Sequence, residues 1–283
     1  MQGSLHCDYL NLTIPENRSR DVRSDLIDHL SLLGAVPDTA DLYRLNGGTL
    51  KITDRKGFSC VGLSGGLLRA LRENSMLSPV LHTIGCGPHR LTRVDVAYDV
   101  FRAAPPVLQA MHDRAKRGGI ALTRKRISPK RVKFIESYDH IRPGRRTGSL
   151  YLGTRSSEVR ALIYDKRCER IDKGFTDPGP WVRYELTVTG KLSPSLRDVV
   201  SPKSMYWHFM SDVLPPPSNV EPWEGLGESY RLEPPPELLP HEIMARKVES
   251  SPDVEQLLEL AQRMGPNGYT ALLRMLDKKR TRI

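Results

Sequence analysis

The chain has 283 residues, a formal net charge of +10 and a pI near 9.5, and this excess of basic residues favours a polyanionic partner. A hydrophobic content of 39% and a mean hydropathy of −0.42 are typical of a soluble protein, and no apolar run is long enough to span a bilayer. Because the N-terminus lacks a basic region followed by an apolar stretch, we expect a cytoplasmic protein without a membrane partner.

The first third of the chain predicts a mixture of strands and helices. Apolar spacing indicates strands over 6–14 and 79–84, one or two strands over 49–63, and helices over 20–33 and 65–72. Gly34 ends the first helix, and Gly85, Gly87 and Pro88 suggest a turn after the strand over 79–84. We therefore expect short elements that pack on one core.

The next strand, predicted over 90–100, places two carboxylates on one face. Side chains alternate along a strand, so Arg93, Asp95 and Asp99 share one side while Val94 and Val96 take the other. Two proline residues then start a helix that runs to about residue 116, and a strand is predicted over 130–138.

Three further strands, over 148–153, 159–165 and 181–189, carry a tyrosine, acids and cations. By the same alternation Tyr164 lies with Lys166, and Arg183 lies with Glu185. A hydroxyl, carboxylates and cations on one sheet face suit the chemistry of a phosphodiester. Helices and strands do not alternate regularly, so the predicted fold class is α+β, with a mainly antiparallel sheet flanked by helices.

The basic residues cluster between 114 and 146, which makes this stretch the best candidate for gripping a DNA backbone. A solvated, flexible charged loop is the alternative. Arg155, close after Gly153, belongs either to a phosphate-binding turn or to a plain β-turn. The candidate DNA-binding residues are Arg124, Lys125, Arg126, Lys130, Arg131, Arg145, Arg146 and Arg155.

The composition changes after residue 212. Two runs of prolines bracket a segment with little periodicity, which predicts a linker over 213–240. Short helices are expected over 241–283, either as a cap on the domain formed by 1–212 or as an appendage that contacts DNA or another copy.

Five motifs in this order resemble the plasmid and filamentous-phage type of rolling-circle replication initiator, the replication initiation factor family. They are the strand at 8–13, the Arg-hydrophobic-Asp-x-x-x-Asp strand at 93–99, Gly-x-Arg-Ser at 153–156, Tyr-Asp-Lys-x-x-Glu at 164–169 and Arg-x-Glu-Leu at 183–186. The resemblance implies a relaxase-like nicking domain over 1–212 that works in a bacterial host.

The resemblance also implies a metal-dependent reaction. Tyr164 would attack one strand of the replication origin, exposed as single-stranded DNA, leaving a 5′-phosphotyrosine and a free 3′-hydroxyl, and later rejoin the ends. A phenol with a pKa of about 10 needs help as a nucleophile, and Lys166 is placed to give it. The acids expected to hold Mg²⁺ or Mn²⁺ are Asp95 and Glu185, with Asp99 and Glu169 as further candidates. A host helicase, a polymerase and a second copy of the chain are candidate partners.

Other interpretations stay open at this point. A non-catalytic DNA-binding regulator of replication or transcription would keep the fold and the basic surface without using Tyr164. Asp95 or Glu185 could instead pair with arginines in a structural network. A tyrosine recombinase is disfavoured because the spacing from His89 to Arg93 does not fit its His-x-x-Arg box.

Overall fold

The computed structural model describes residues 3–122, 127–138, 146–192 and 194–223. The helical region predicted over 241–283 and most of the predicted linker lie outside these residues. The strands are β1 (Gly3–Pro15), β2 (Val36–Thr39), β3 (Leu42–Leu45), β4 (Gly48–Arg55), β5 (Phe58–Ser64), β6 (Arg90–Val100), β7 (Val132–Tyr138), β8 (Arg146–Leu152), β9 (Val159–Asp165) and β10 (Val182–Thr189). The helices are α1 (Glu16–Ser31), α2 (Gly65–Glu73), α3 (Leu77–Gly85), α4 (Ala104–Lys116), α5 (Lys166–Asp172), α6 (Leu196–Val200) and α7 (Lys203–Met210).

The ten strands form one sheet in the order β2-β3-β4-β5-β1-β6-β10-β9-β8-β7. All pairings among the described strands are antiparallel. The first strand of the chain lies between β5 and β6, and so joins the two halves of the sheet. The predicted α+β class with a mainly antiparallel sheet is confirmed. None of the helices in the described residues is both long and apolar enough to cross a membrane.

One face of the sheet is apolar and carries the core. Leu10, Val94 and Leu186 on β1, β6 and β10 are fully buried on it, and burial of each such side chain contributes about 1.5–3 kcal/mol. On the same face the ring of His112 from α4 stacks on Phe134, with ring centroids 4.7 Å apart. Helix α7 also packs there, where Tyr206 donates a hydrogen bond of 3.3 Å to the carbonyl oxygen of Tyr184.

The opposite face carries polar side chains in a row across three strands. Asp99 on β6 faces Arg183 on β10, and Arg183 faces Tyr164 on β9. Two residues away along β6, Ala97 is paired with Glu185 on β10, and Glu185 is paired with Leu162 on β9. Directly paired residues point to the same side, so the sheet register alone brings these groups together.

The strand predicted over 79–84 is wrong, because this segment belongs to helix α3. Leu77, Val80, Leu81 and Ile84 are buried at helical spacing, and the predicted window was too short to show this period. Pro79 is tolerated because it lies in the first turn, where no partner for a backbone N–H is lost.

Strand alternation also placed Lys166 beside Tyr164, but Lys166 is the first residue of helix α5. The chain turns into α5 at this point because the side chain of Asp165 caps the helix, accepting a hydrogen bond of 3.0 Å from the backbone nitrogen of Cys168. The backbone nitrogen of Lys166 donates to the carbonyl oxygen of Trp181 at 3.1 Å, which holds the start of α5 beside β10.

Candidate active site

Tyr164, near the end of β9, has two polar partners at its hydroxyl oxygen. The hydroxyl donates a hydrogen bond of 2.7 Å to Oε1 of Glu185 on β10. It accepts a hydrogen bond of 3.2 Å from Nζ of Lys166 at the start of α5. A single oxygen therefore has an acceptor for its proton on one side and a cation for its developing charge on the other.

Lys166 is held in place by the rest of its helix. Its Nζ lies 2.7 Å from Oε2 of Glu169, which also bonds to Lys173 one turn further along. Burial favours the neutral acid, but the hydrogen bonds from Lys166 and Lys173 outweigh it and lower the pKa of Glu169. Glu169 therefore stays ionised and orients the ammonium group of Lys166 toward Tyr164.

The protonation of Tyr164 and Glu185 is set mainly by burial. Burial, and next to it the charge of Glu185, raises the pKa of Tyr164 well above its ordinary value. Burial and the nearby carboxylate of Asp8 raise the pKa of Glu185 to about 7. A carboxylate that exchanges its proton near neutral pH is well matched to take a proton from the tyrosine.

Arg183 lies at the centre of the polar face. Its Nε and Nη2 donate to the two carboxylate oxygens of Asp99 at 2.7 and 2.8 Å, and both side chains are buried. Nη1 donates to Oδ1 of Asp8 at 3.2 Å and lies 3.9 Å from Oε1 of Glu185. The indole nitrogen of Trp181 also donates to Asp99, at 2.8 Å. Such a bidentate pair fixes the orientation of the guanidinium beside Glu185.

Asp8 and His6 complete this network, and neither was predicted as a site residue. A bulge between Cys7 and Tyr9 interrupts the pairing of β1 with β6 at Asp8. Burial opposes ionisation of Asp8, but the hydrogen bond to His6 and the charge of Arg183 outweigh it and lower the pKa to about 2. The one available signal was the position of Asp8 in the first motif, because a bulge cannot be read from a strand pattern.

The four predicted metal ligands each have another partner. Asp95 accepts from Nε of Arg93 at 2.8 Å, Asp99 binds Arg183, Glu169 binds two lysines and Glu185 binds Tyr164. Among the residues that the structure describes, no three His, Cys, Asp or Glu side chains are grouped closely enough to hold an ion. Carboxylate oxygens suit Mg²⁺ or Mn²⁺ in kind. Their role as ligands stays a prediction.

Three predicted DNA-binding residues lie in one place. Lys130 and Arg131, just before β7, and Arg155, after β8, line a cavity of about 600 Å³. Arg124, Lys125, Arg126 and Arg145 lie outside the described residues, and only the backbone of Arg146, the first residue of β8, is described. The turn after Gly153 is closed by a hydrogen bond of 3.0 Å from the backbone nitrogen of Ser157 to the carbonyl oxygen of Thr154.

Part of the chain matches the model of a known protein family. The model of the replication initiation factor family matches residues 89–206. This segment is similar to that family. The resemblance drawn from the motifs is confirmed there, and the initiation factor segment contains Tyr164, Lys166, Glu169, Arg183 and Glu185.

The fold has a counterpart among solved structures. A rolling circle replication initiator protein from Geobacillus stearothermophilus matches 75% of this chain and 85% of its own at 14% identity, with a TM-score of 0.51. At this identity the likeness concerns the fold. No curated protein matches the chain. Asp8 and His6, which complete the polar network, precede the initiation factor segment and reach it through the pairing of β1 with β6.

Proposed function

We propose that the protein is a rolling-circle replication initiator that nicks one strand of its origin with Tyr164. The observation that carries this proposal is the hydroxyl of Tyr164, held between Glu185 at 2.7 Å and Lys166 at 3.2 Å. The similarity of residues 89–206 to the replication initiation factor family and the shared fold support it.

In the proposed reaction Glu185 accepts the phenolic proton as the oxygen of Tyr164 attacks the scissile phosphorus. The bond from phosphorus to the 3′ oxygen breaks, the 3′ oxygen leaves and takes a proton from water, and the 5′ phosphate stays on the tyrosine. Lys166 stabilises the negative charge that develops on the phenolic oxygen. Reversal of the same steps, with the 3′-hydroxyl as nucleophile, rejoins the strand.

A divalent cation, Mg²⁺ or Mn²⁺, is part of the proposal. Burial is the main cause of the raised pKa of Glu185, and repulsion from the carboxylates of Asp8 and Asp95 raises it further. A hard cation held by Glu185 and Asp95, with Asp99 and Glu169 as further candidates, would relieve this repulsion. When bound it would polarise the scissile phosphate.

The proposal is tested by incubating the protein with labelled single-stranded origin DNA and Mn²⁺, followed by denaturing electrophoresis. We expect a covalent adduct of protein and DNA that disappears in EDTA. Adduct formation that persists in EDTA would reject the cation while keeping the tyrosine. Tight binding of origin DNA without any adduct would instead favour the non-catalytic regulator.

A further inference from the structure

The sheet face that carries Tyr164 continues beyond the site onto β8 and β7. On β9 the residues of this face are Tyr164, Leu162 and Arg160, and the register pairs Leu162 with Tyr151 on β8. Tyr151 is paired in turn with Lys133 on β7. Tyr151 is a diagonal neighbour of Tyr164 on the adjacent strand, a relation that places two residues about 7–8 Å apart.

This extension forms the cavity of about 600 Å³ that contains Lys130, Arg131 and Arg155. Lys133 and Arg160 line it as well, so five cations surround it. Among the described residues the lining includes no carboxylate, and none of the five cations forms a salt bridge there. Burial and repulsion from Arg93 lower the pKa of Arg160, so an incoming anion would stabilise its charged form.

Between these cations the floor of the cavity is apolar. Tyr151 and Ile135 lie on this face and are 36% and 39% exposed. Helix α4 covers the other face of β7 and β8, where Phe134 and Leu150 pack. No described helix covers Tyr151 and Ile135.

We propose that this surface, the β7–β9 groove, binds the single-stranded part of the origin next to the scissile phosphate. A base would stack on the ring of Tyr151, and Lys133 and Arg160 would contact flanking phosphates. Duplex DNA keeps its bases stacked on one another, so it would use the cations but leave the exposed aromatic ring without a partner. The inference rests on the proposed nicking reaction, because it takes Tyr164 as one end of the path.

The groove is tested by fluorescence anisotropy with a labelled oligothymidine of about 15 nucleotides. All measurements use the Tyr164→Phe chain, so that binding is read without cleavage. We expect Tyr151→Ala to weaken binding about tenfold, whereas Tyr151→Phe keeps the ring and the affinity. The matched control is Phe58→Ala on β5, since Phe58 is 37% exposed and lies four strands from β9.

A second probe separates stacking from charge. An oligomer of abasic nucleotides should bind Tyr151→Ala and the parent alike, because it has no base to stack. The double variant Lys133→Ala and Arg160→Ala should make the salt dependence on oligothymidine shallower by about 1.4. Lys51→Ala with Arg55→Ala, two exposed basic residues on β4, is its control.

The proposed role of the groove is rejected if Tyr151→Ala binds oligothymidine as tightly as the parent, or if Phe58→Ala weakens binding equally. An equal loss of affinity for duplex and single strand would also reject it. If Tyr151→Ala unfolds at a lower temperature, Tyr151→Leu replaces it as the test of the ring. If Tyr151→Ala weakens binding but the chain with Tyr164 intact forms no covalent adduct, the groove is kept and the proposed reaction is rejected, so the two failures can be told apart.

Discussion

The surroundings of Tyr164 and the β7–β9 groove are neighbours on one sheet face, yet their charges are arranged in opposite ways. Around Tyr164 the charged side chains satisfy one another, from Glu169 with Lys166 to Asp99 with Arg183. In the groove, cations such as Arg160 have no carboxylate partner within the described residues. Internal pairing fixes geometry for chemistry, whereas unpaired cations need an anion from outside.

The largest expected effect comes from removing the nucleophile. Tyr164→Phe deletes only the hydroxyl oxygen and should abolish the covalent adduct, while affinity for single-stranded DNA stays within about twofold. Denaturing electrophoresis and anisotropy measure the two quantities on the same preparation. Tyr151→Phe serves as the control, since it removes a tyrosine hydroxyl from the groove. An adduct that still forms on Tyr164→Phe would make another tyrosine the nucleophile.

The next effect concerns the proton acceptor. Glu185→Gln keeps the size of the side chain but cannot take the phenolic proton, so nicking should slow by about 10²–10⁴-fold. The pKa of Glu185 is raised to about 7. The required form is the carboxylate, so the rate should rise as pH increases through this value and then level off. The variant should lose this dependence. A parent whose rate is flat across neutral pH would contradict the role of Glu185 as the base.

A stability comparison between two arginines on this face gives a smaller effect. Arg183→Met leaves Asp99 buried without its cation and should lower the free energy of unfolding by about 3–5 kcal/mol. Arg93 is the comparison, because it also binds a buried aspartate, Asp95, but its own side chain is 41% exposed. Arg93→Met should therefore cost less than Arg183→Met, about 1–3 kcal/mol. Urea unfolding measures both, and equal losses would mean that burial does not distinguish the pairs.

The smallest effect is expected at the edge of the groove. Lys130→Ala with Arg131→Ala should weaken binding to all single-stranded sequences and reduce the salt slope by about 1.4. Cleavage of a short substrate at saturating concentration should change little, because neither side chain contacts Tyr164 or its partners. An unchanged salt slope would show that these two side chains are only a solvated surface.

The sheet face on which the predicted site residues lie can be read from the sequence because strand alternation has a fixed period. The predicted strands over 90–100 and 159–165 match β6 and β9, so their side chains point to the predicted faces. Strand alternation does not predict which side chains pair with each other, however. That Glu185 accepts from Tyr164 while Asp95 pairs with Arg93 depends on strand order and side-chain rotamers.

Three features could not be predicted from the sequence pattern, each for a different physical reason. The run at 79–84 is apolar and short, so strand and helix could not be distinguished. Lys166 reaches Tyr164 from a helix because Asp165 caps it, which is a local competition that alternation ignores. Arg183 lies at the centre of the polar network because a buried guanidinium needs several acceptors, and these come from β1 and β6.

The hydrogen bond from Arg183 to Asp8 joins residues 175 positions apart in the sequence, and it bears on how the protein folds. Strand β1 is synthesised first, but Asp8 can bind Arg183 only after β6 and β10 have been synthesised. Contacts with such long sequence separation form late, since the loop entropy has to be lost first. A partly synthesised chain would thus carry Tyr164 without the complete network around it. The proposed cleavage would then have to wait until β10 has joined the sheet.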